Sequence, residues 1–242
     1  MSRVLPILFN TDMVRAILDG RKTVTRRLIK VPPYYPHFYK LHDNTDGALS
    51  GTRNRLYAGF YNDEHIFYID GKKHVDAVYY QAPYKPGDIL YVRETWERFD
   101  CCSCEGDEHG NCPKEPKKSV LDKYGCGCYM YRASDEIWGD AKWHPSIHMP
   151  KEAARIWLKV KDVRVERLQE IAEEQAKEEG AIDNRGFIHS PDNEYDSIHS
   201  AKEHFKQIWN STIKKSDIDR YGWDAPPWVW VIEFERCEKP EN

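Results

Sequence analysis

The sequence predicts an α+β protein, a small closed β-barrel with flanking helices and a cysteine-rich insertion. Three observations lead there: many short alternating strands against few helices, a final strand close to the C-terminus, and one cysteine-dense stretch without periodicity at 99–128. The 242 residues read as a single domain, interrupted by insertions at about 31–85 and 99–128, with no internal repeat and no linker.

The elements follow in order. Val4–Phe9 is an apolar run of strand length. Asn10 or Thr11 can cap the next helix, whose apolar stripe is Met13, Ile17 and Leu18, and Gly20 stops it. Lys22–Ile29 carries β-branched Thr23, Val24 and Thr25 and predicts a strand. Residues 31–54 read as an irregular excursion. Strands are expected at 55–61, 65–70 and 74–80, divided by the turn pairs Asn62-Asp63 and Asp70-Gly71. Pro86-Gly87-Asp88 turns into the strand Ile89–Val92, and Tyr129–Arg132 resumes strand character. Pro150 opens a short helix, Ile156–Val165 alternates as a long strand, and Leu168–Glu179 is a helix stopped by Gly180. A helix over 198–212 presents Phe205, Ile208 and Trp209 on one face, and the alternating Trp228–Glu235 closes the sheet.

Charge narrows the choice of partner. Residues 1–40 hold eight Lys or Arg against Asp12 and Asp19, while the whole chain carries a net −4. One basic patch on an acidic body suits a local anionic ligand better than a long duplex, although a solvated basic hairpin has the same composition. No stretch approaches the roughly 18 apolar residues of a membrane span. With no secretory h-region at the N-terminus, the chain is expected in the cytoplasm, as a monomer.

Four segments carry chemistry. In Gly20–Arg27, Lys22 is flanked by Arg21, Arg26 and Arg27, whose like charge favours the neutral amine and makes a better base. Arg26 and Arg27 suit phosphate or carbonyl oxygens. The same residues also fit a surface strand with solvated cations. In Ala172–Gly180, Glu178 and Glu179 occupy the last helical turn, where a negative charge opposes the helix dipole by roughly 0.3–1 kcal/mol. A cation or ligand facing one of them would account for that cost; an acidic exposed helix is the other reading.

Six of the seven cysteines lie at 101–128. In a reducing compartment such clustering points to metal, and Cys101, Cys104, Cys126 and Cys128 make a tetrahedral thiolate set for structural zinc. Cys102, Cys112 or His109 are alternative ligands, and unligated, oxidisable cysteines are the competing reading. In the fourth segment, 143–150, Trp143 lies near Arg155; with Trp96 it offers an aromatic surface for stacking a nucleobase, or core packing.

The run ILDGRKTVTRR (17–27), then Gly87–Val92, then the helix ending Glu179-Gly180, resembles the ASCH family. Arg93–Trp96, Pro145–Pro150 and Arg164–Gln169 resemble its phage and prophage branch. The resemblance implies a PUA-like barrel whose cleft binds RNA or a modified nucleoside. One bacterial branch hydrolyses N4-acetylcytidine with a Lys, a Thr and a Glu, which fall here on Lys22, Thr25 and Glu179. The implied amidohydrolase mechanism has Lys22 deprotonate Thr25, Glu179 orient Lys22 or protonate the leaving amine, and Arg26 hold the substrate oxygen, with no cofactor at the core site. The alternatives are a non-catalytic RNA-binding module with Arg26, Arg27 and Arg155 as anion contacts, and a ribonuclease. On a regular strand, positions 22 and 25 would point to opposite faces, so the mechanism requires Lys22 in a turn.

Overall fold

The computed structural model describes residues 2–32, 34–45, 47, 49, 53–100, 119–122, 125–136, 142–185 and 199–241. The chain is mixed α and β, with strands dominant. In order it runs β1 (Val4–Leu8), α1 (Thr11–Leu18), β2 (Val24–Leu28), β3 (His37–Asp43), β4 (Leu56–Tyr61), β5 (Ile66–Ile69), β6 (Lys72–Val75), β7 (Val78–Gln81) and β8 (Ile89–Arg93). It continues through β9 (Trp96–Asp100), β10 (Ser119–Asp122), β11 (Gly125–Tyr131), β12 (Trp157–Arg167), α2 (Glu173–Glu178), α3 (Ala201–Thr212), α4 (Ile218–Tyr221) and β13 (Trp228–Cys237).

The main sheet has the order β1-β8-β12-β13-β2, with β1 parallel to β8 and the other pairs antiparallel. Its edges, β1 and β2, form no ladder with each other among the described residues, so the sheet is open and not the closed barrel expected. Side chains bridge the gap instead: Arg27 Nη2 donates to the Leu8 carbonyl at 3.0 Å. A bulge between Val160 and Asp162 bends β12. Consequently β8 pairs only with its first three residues, and β2 pairs with β13 beyond the bend.

Both faces of this sheet are buried, and the strict alternation of β13 assigns them. Trp230, Ile232 and Phe234 enter a core with Ile7, Leu90, Leu158 and Val160. The sheet β3-β4-β7 covers that side through Ala58 and Phe60, both fully buried. Val229 and Val231 face the other way, onto Leu168, Ile171, Ala176, Phe205 and Trp209. These bring α2 and α3 against the outer face. A third sheet, β10-β11-β9, packs separately through Tyr129, Tyr131 and Met149 against Trp157.

Three local expectations change. The excursion at 31–54 contains β3, whose alternation is interrupted by a bulge between Phe38 and Lys40 and is therefore invisible as a period. The single strand expected at 74–80 is two, because the chain leaves β6 at Asp76 to begin β7. The helix expected from Leu168 begins at Glu173, after a 3-10 turn at Leu168–Glu170. There the Gln175 side chain accepts from Ala172 N at 3.0 Å and sets the start of α2.

Candidate functional site

The site is built on two helix ends. Asn10 Oδ1 accepts from Met13 N at 2.9 Å and starts α1; Gly20, at φ +76°, ends it. Arg21 N and Lys22 N then both donate to the Ala16 carbonyl, at 2.9 and 3.0 Å, folding the chain back over the helix end. Lys22 thus occupies the turn before β2, and the face rule for strands does not apply to it. Thr23 N donates to the Glu178 carbonyl at 2.9 Å, which ties this turn to the end of α2.

At that end Glu179 is the C-cap, and Gly180 leaves the helix at φ +90°. The Lys22 ammonium donates to Val24 O, Glu179 O and Glu179 Oε2, each at 2.7 Å, so all three of its protons have acceptors. Arg26 Nη1 meets Glu179 Oε1 at 3.3 Å, while its Nη2 donates to Glu166 Oε2 at 3.0 Å and Gln175 Oε1 at 3.5 Å. The cations that offset a carboxylate at a helix C-terminus are therefore Lys22 and Arg26. All four charged or hydroxyl groups are deeply buried: Lys22 and Thr25 are 3% exposed, Arg26 and Glu179 4%. Burial lowers the Lys22 pKa; Glu179 opposes this, and Arg27 and Arg26 add to it.

Lys22, Thr25, Arg26, Arg27 and Glu179 line one cavity of about 210 Å³. Its apolar walls come from Phe9 after β1 and from Phe205, Ile208 and Trp209 of α3. Trp209 is locked by a 2.9 Å bond from Nε1 to the Tyr221 carbonyl. The Phe9 ring lies under two cations, Lys22 Nζ at 5.5 Å and the Arg27 guanidinium at 5.4 Å from its centroid. None of the three bonds from Lys22 Nζ goes to Thr25 Oγ1. The cavity therefore combines a buried amine, a hydroxyl, a carboxylate and a flat aromatic wall.

The remaining expected site residues lie elsewhere. Arg155 is not an anion contact of this cavity: its Nε and Nη2 each donate at 2.9 Å to the two oxygens of buried Glu94, and its guanidinium covers the Tyr131 ring at 4.0 Å. Trp96 packs on Tyr129 and His144, at 5.7 and 5.3 Å between centroids, within the third sheet. Neither these residues nor Trp143 line the cavity. Trp96 is carried away from it on β9, which pairs with β11 in the third sheet. Of the proposed zinc ligands, Cys101 and Cys104, the side chain of Cys126 and the alternatives Cys102, His109 and Cys112 lie outside the described residues, while Cys128 is half-buried on β11. Among the described residues no three His, Cys, Asp or Glu side chains are grouped to hold a metal ion.

Sequence reasoning missed Phe9, Glu166, Gln175 and the cavity role of α3. The apolar stripe of α3 was visible, but not what it faces. Glu166 stood in the Arg164–Gln169 segment with nothing in its neighbours to mark its partner. Comparison with family models, curated proteins and solved structures gives no match. No helix among the described residues is long and apolar enough to cross a membrane.

Proposed function

We propose that this is an ASCH-type protein with a PUA-like ancestry, whose cavity takes a modified nucleoside and hydrolyses an N4-acylated cytidine. The observation that carries the reading is the convergence of Lys22, Thr25, Arg26 and Glu179, from a turn, a strand and a helix end, on one aromatic-walled cavity. At about 210 Å³ it is smaller than the roughly 300–1,000 Å³ of drug-sized sites, which suits a single base with its ribose outside.

In the proposed reaction, neutral Lys22 takes the Thr25 hydroxyl proton as Oγ1 attacks the acyl carbon. The C–N4 bond then breaks, the proton passes to the departing amine, and cytidine leaves. Water hydrolyses the Thr25 ester to acetate and regenerates the hydroxyl. In this reading Glu179 orients Lys22 before and after proton transfer, and Arg26 supplies the donor for the developing oxyanion. The lowered Lys22 pKa favours the neutral amine that the first step requires.

A second reading rests on a specific observation: Lys22 spends all three ammonium protons on Val24 and Glu179 and makes no bond to Thr25. A lysine so satisfied fits a site that binds a modified base or an RNA end without catalysis. Incubation with N4-acetylcytidine, followed by chromatography of the products, separates the two. Cytidine and acetate are expected from the wild type, with a loss of at least about 100-fold in Lys22→Ala, Thr25→Val and Glu179→Ala. Retention of the nucleoside without turnover would give the site to binding alone.

A further inference from the structure

The buried charges of the cavity do not end at Glu179. Lys22, Glu179, Arg26, Glu166, Arg164 and Glu233 form a chain of ion pairs in which the sign of the charge alternates from one member to the next. It starts at a fully buried ammonium and ends at side chains that are 30% and 40% exposed, Arg164 and Glu233. The unequal distances along it matter. Glu179 holds Lys22 at 2.7 Å but Arg26 only at 3.3 Å, whereas Arg26 reaches Glu166 at 3.0 Å. Two buried cations thus share one carboxylate, and the second cation is drawn off by Glu166 on β12. A guanidinium is an effective competitor for a carboxylate, with paired donors that a lysine lacks. Without Glu166 it would close on Glu179.

We propose that Glu166 is a positioning residue for Lys22: by holding the Arg26 guanidinium from the far side, it keeps the Glu179 carboxylate committed to the Lys22 amine. The proposal rests on the amidohydrolase reading for its effect on rate, but its effect on Lys22 itself is independent of turnover. Lys22 is faced by Glu179 from the end of α2, by Arg26 and Arg27 from β2, and by the Phe9 ring beyond β1. Arg26 in turn faces Glu166 from β12 and Gln175 and Glu179 from α2. Neutralising Glu166 leaves Glu179 as the one carboxylate for both Arg26 and Lys22, so the Lys22 proton is held less tightly.

The test is a pH titration of the Lys22 side-chain NMR signal in protein with 13Cε-labelled lysine, the signal being identified by its absence from Lys22→Arg. In Glu166→Gln the midpoint is expected to fall by about one pH unit, a tenfold loss of proton affinity. In Glu166→Asp, which keeps the charge, it should stay near the wild-type value. Arg164→Gln, at a 30% exposed position, frees Glu166 from its outer partner and should move the midpoint upward. An unmoved midpoint in Arg164→Gln and in folded Glu166→Gln overturns the proposal. If the wild type hydrolyses N4-acetylcytidine, the alkaline rise of kcat/KM shifts with the Lys22 midpoint. If the wild type is inactive while the midpoints move as stated, the catalytic reading fails and the positioning role of Glu166 stands.

Discussion

Glu94 is a second buried carboxylate, remote from the cavity and just 1% exposed, with Arg155 donating to both its oxygens. Burial raises its pKa above the ordinary 4.5, and the bonds from Arg155 only partly oppose this. The folded chain therefore binds this proton more tightly than the unfolded chain does. The stability contributed is full below the ordinary carboxylate pKa and is lost as pH rises through the folded value, with a slope of at most about 1.4 kcal/mol per pH unit. The difference in unfolding free energy between wild type and Glu94→Gln should accordingly fall as pH rises above about 4.5; a difference that stays flat across thermal melts at rising pH would disprove the assignment. The sequence marked Glu179 by its place in the last helical turn before Gly180, whereas no local signal marked Glu94; only the fold shows that Glu94 is paired with Arg155 and that Glu179 is shared by Lys22 and Arg26.

At the scale of elements, the site depends on how α2 stops. Gly180 adopts φ +90°, and a Cβ there would lie 3.0 Å from the Ala16 Cβ. Gly180→Ala meets both the left-handed backbone cost and a crowded contact with α1, and should destabilise the fold by about 1–3 kcal/mol. Because Glu179 is the preceding residue, the nucleoside binding proposed for the cavity should be lost along with the lower melting temperature; calorimetry and a binding titration on the same variant check both. The stops of α1 and α2 were legible as glycines after apolar-periodic runs, and the Ser200–Glu203 box that starts α3 was encoded just as locally. Strands interrupted by a bulge, such as β3, were not legible, since one extra residue inverts the alternation on which recognition depends.

At the scale of the whole molecule, the open edge between β1 and β2 leaves the cavity between side chains of Leu8, Phe9 and Arg27 and the α3 wall. The cysteine segment beyond β9 remains a proposal of structural zinc on Cys101, Cys104, Cys126 and Cys128. Elemental analysis of protein purified without chelators should find about one zinc per chain, the stoichiometry of a four-thiolate site, and a ratio near zero removes the proposal. What the sequence determined by itself is local: helix caps, glycine stops, the alternation of β13, and the residue types at Lys22, Thr25, Arg26 and Glu179. These signals act within a few residues through backbone φ, capping bonds and side-chain period. The pairing of Lys22 with Glu179, 157 positions away, was expected only through the family resemblance; the tertiary structure alone decided that Glu166 braces Arg26, that Arg155 belongs to Glu94, and that the sheet stays open. Ion-pair partners and sheet closure depend on distances across the fold, and no local term along the chain encodes them.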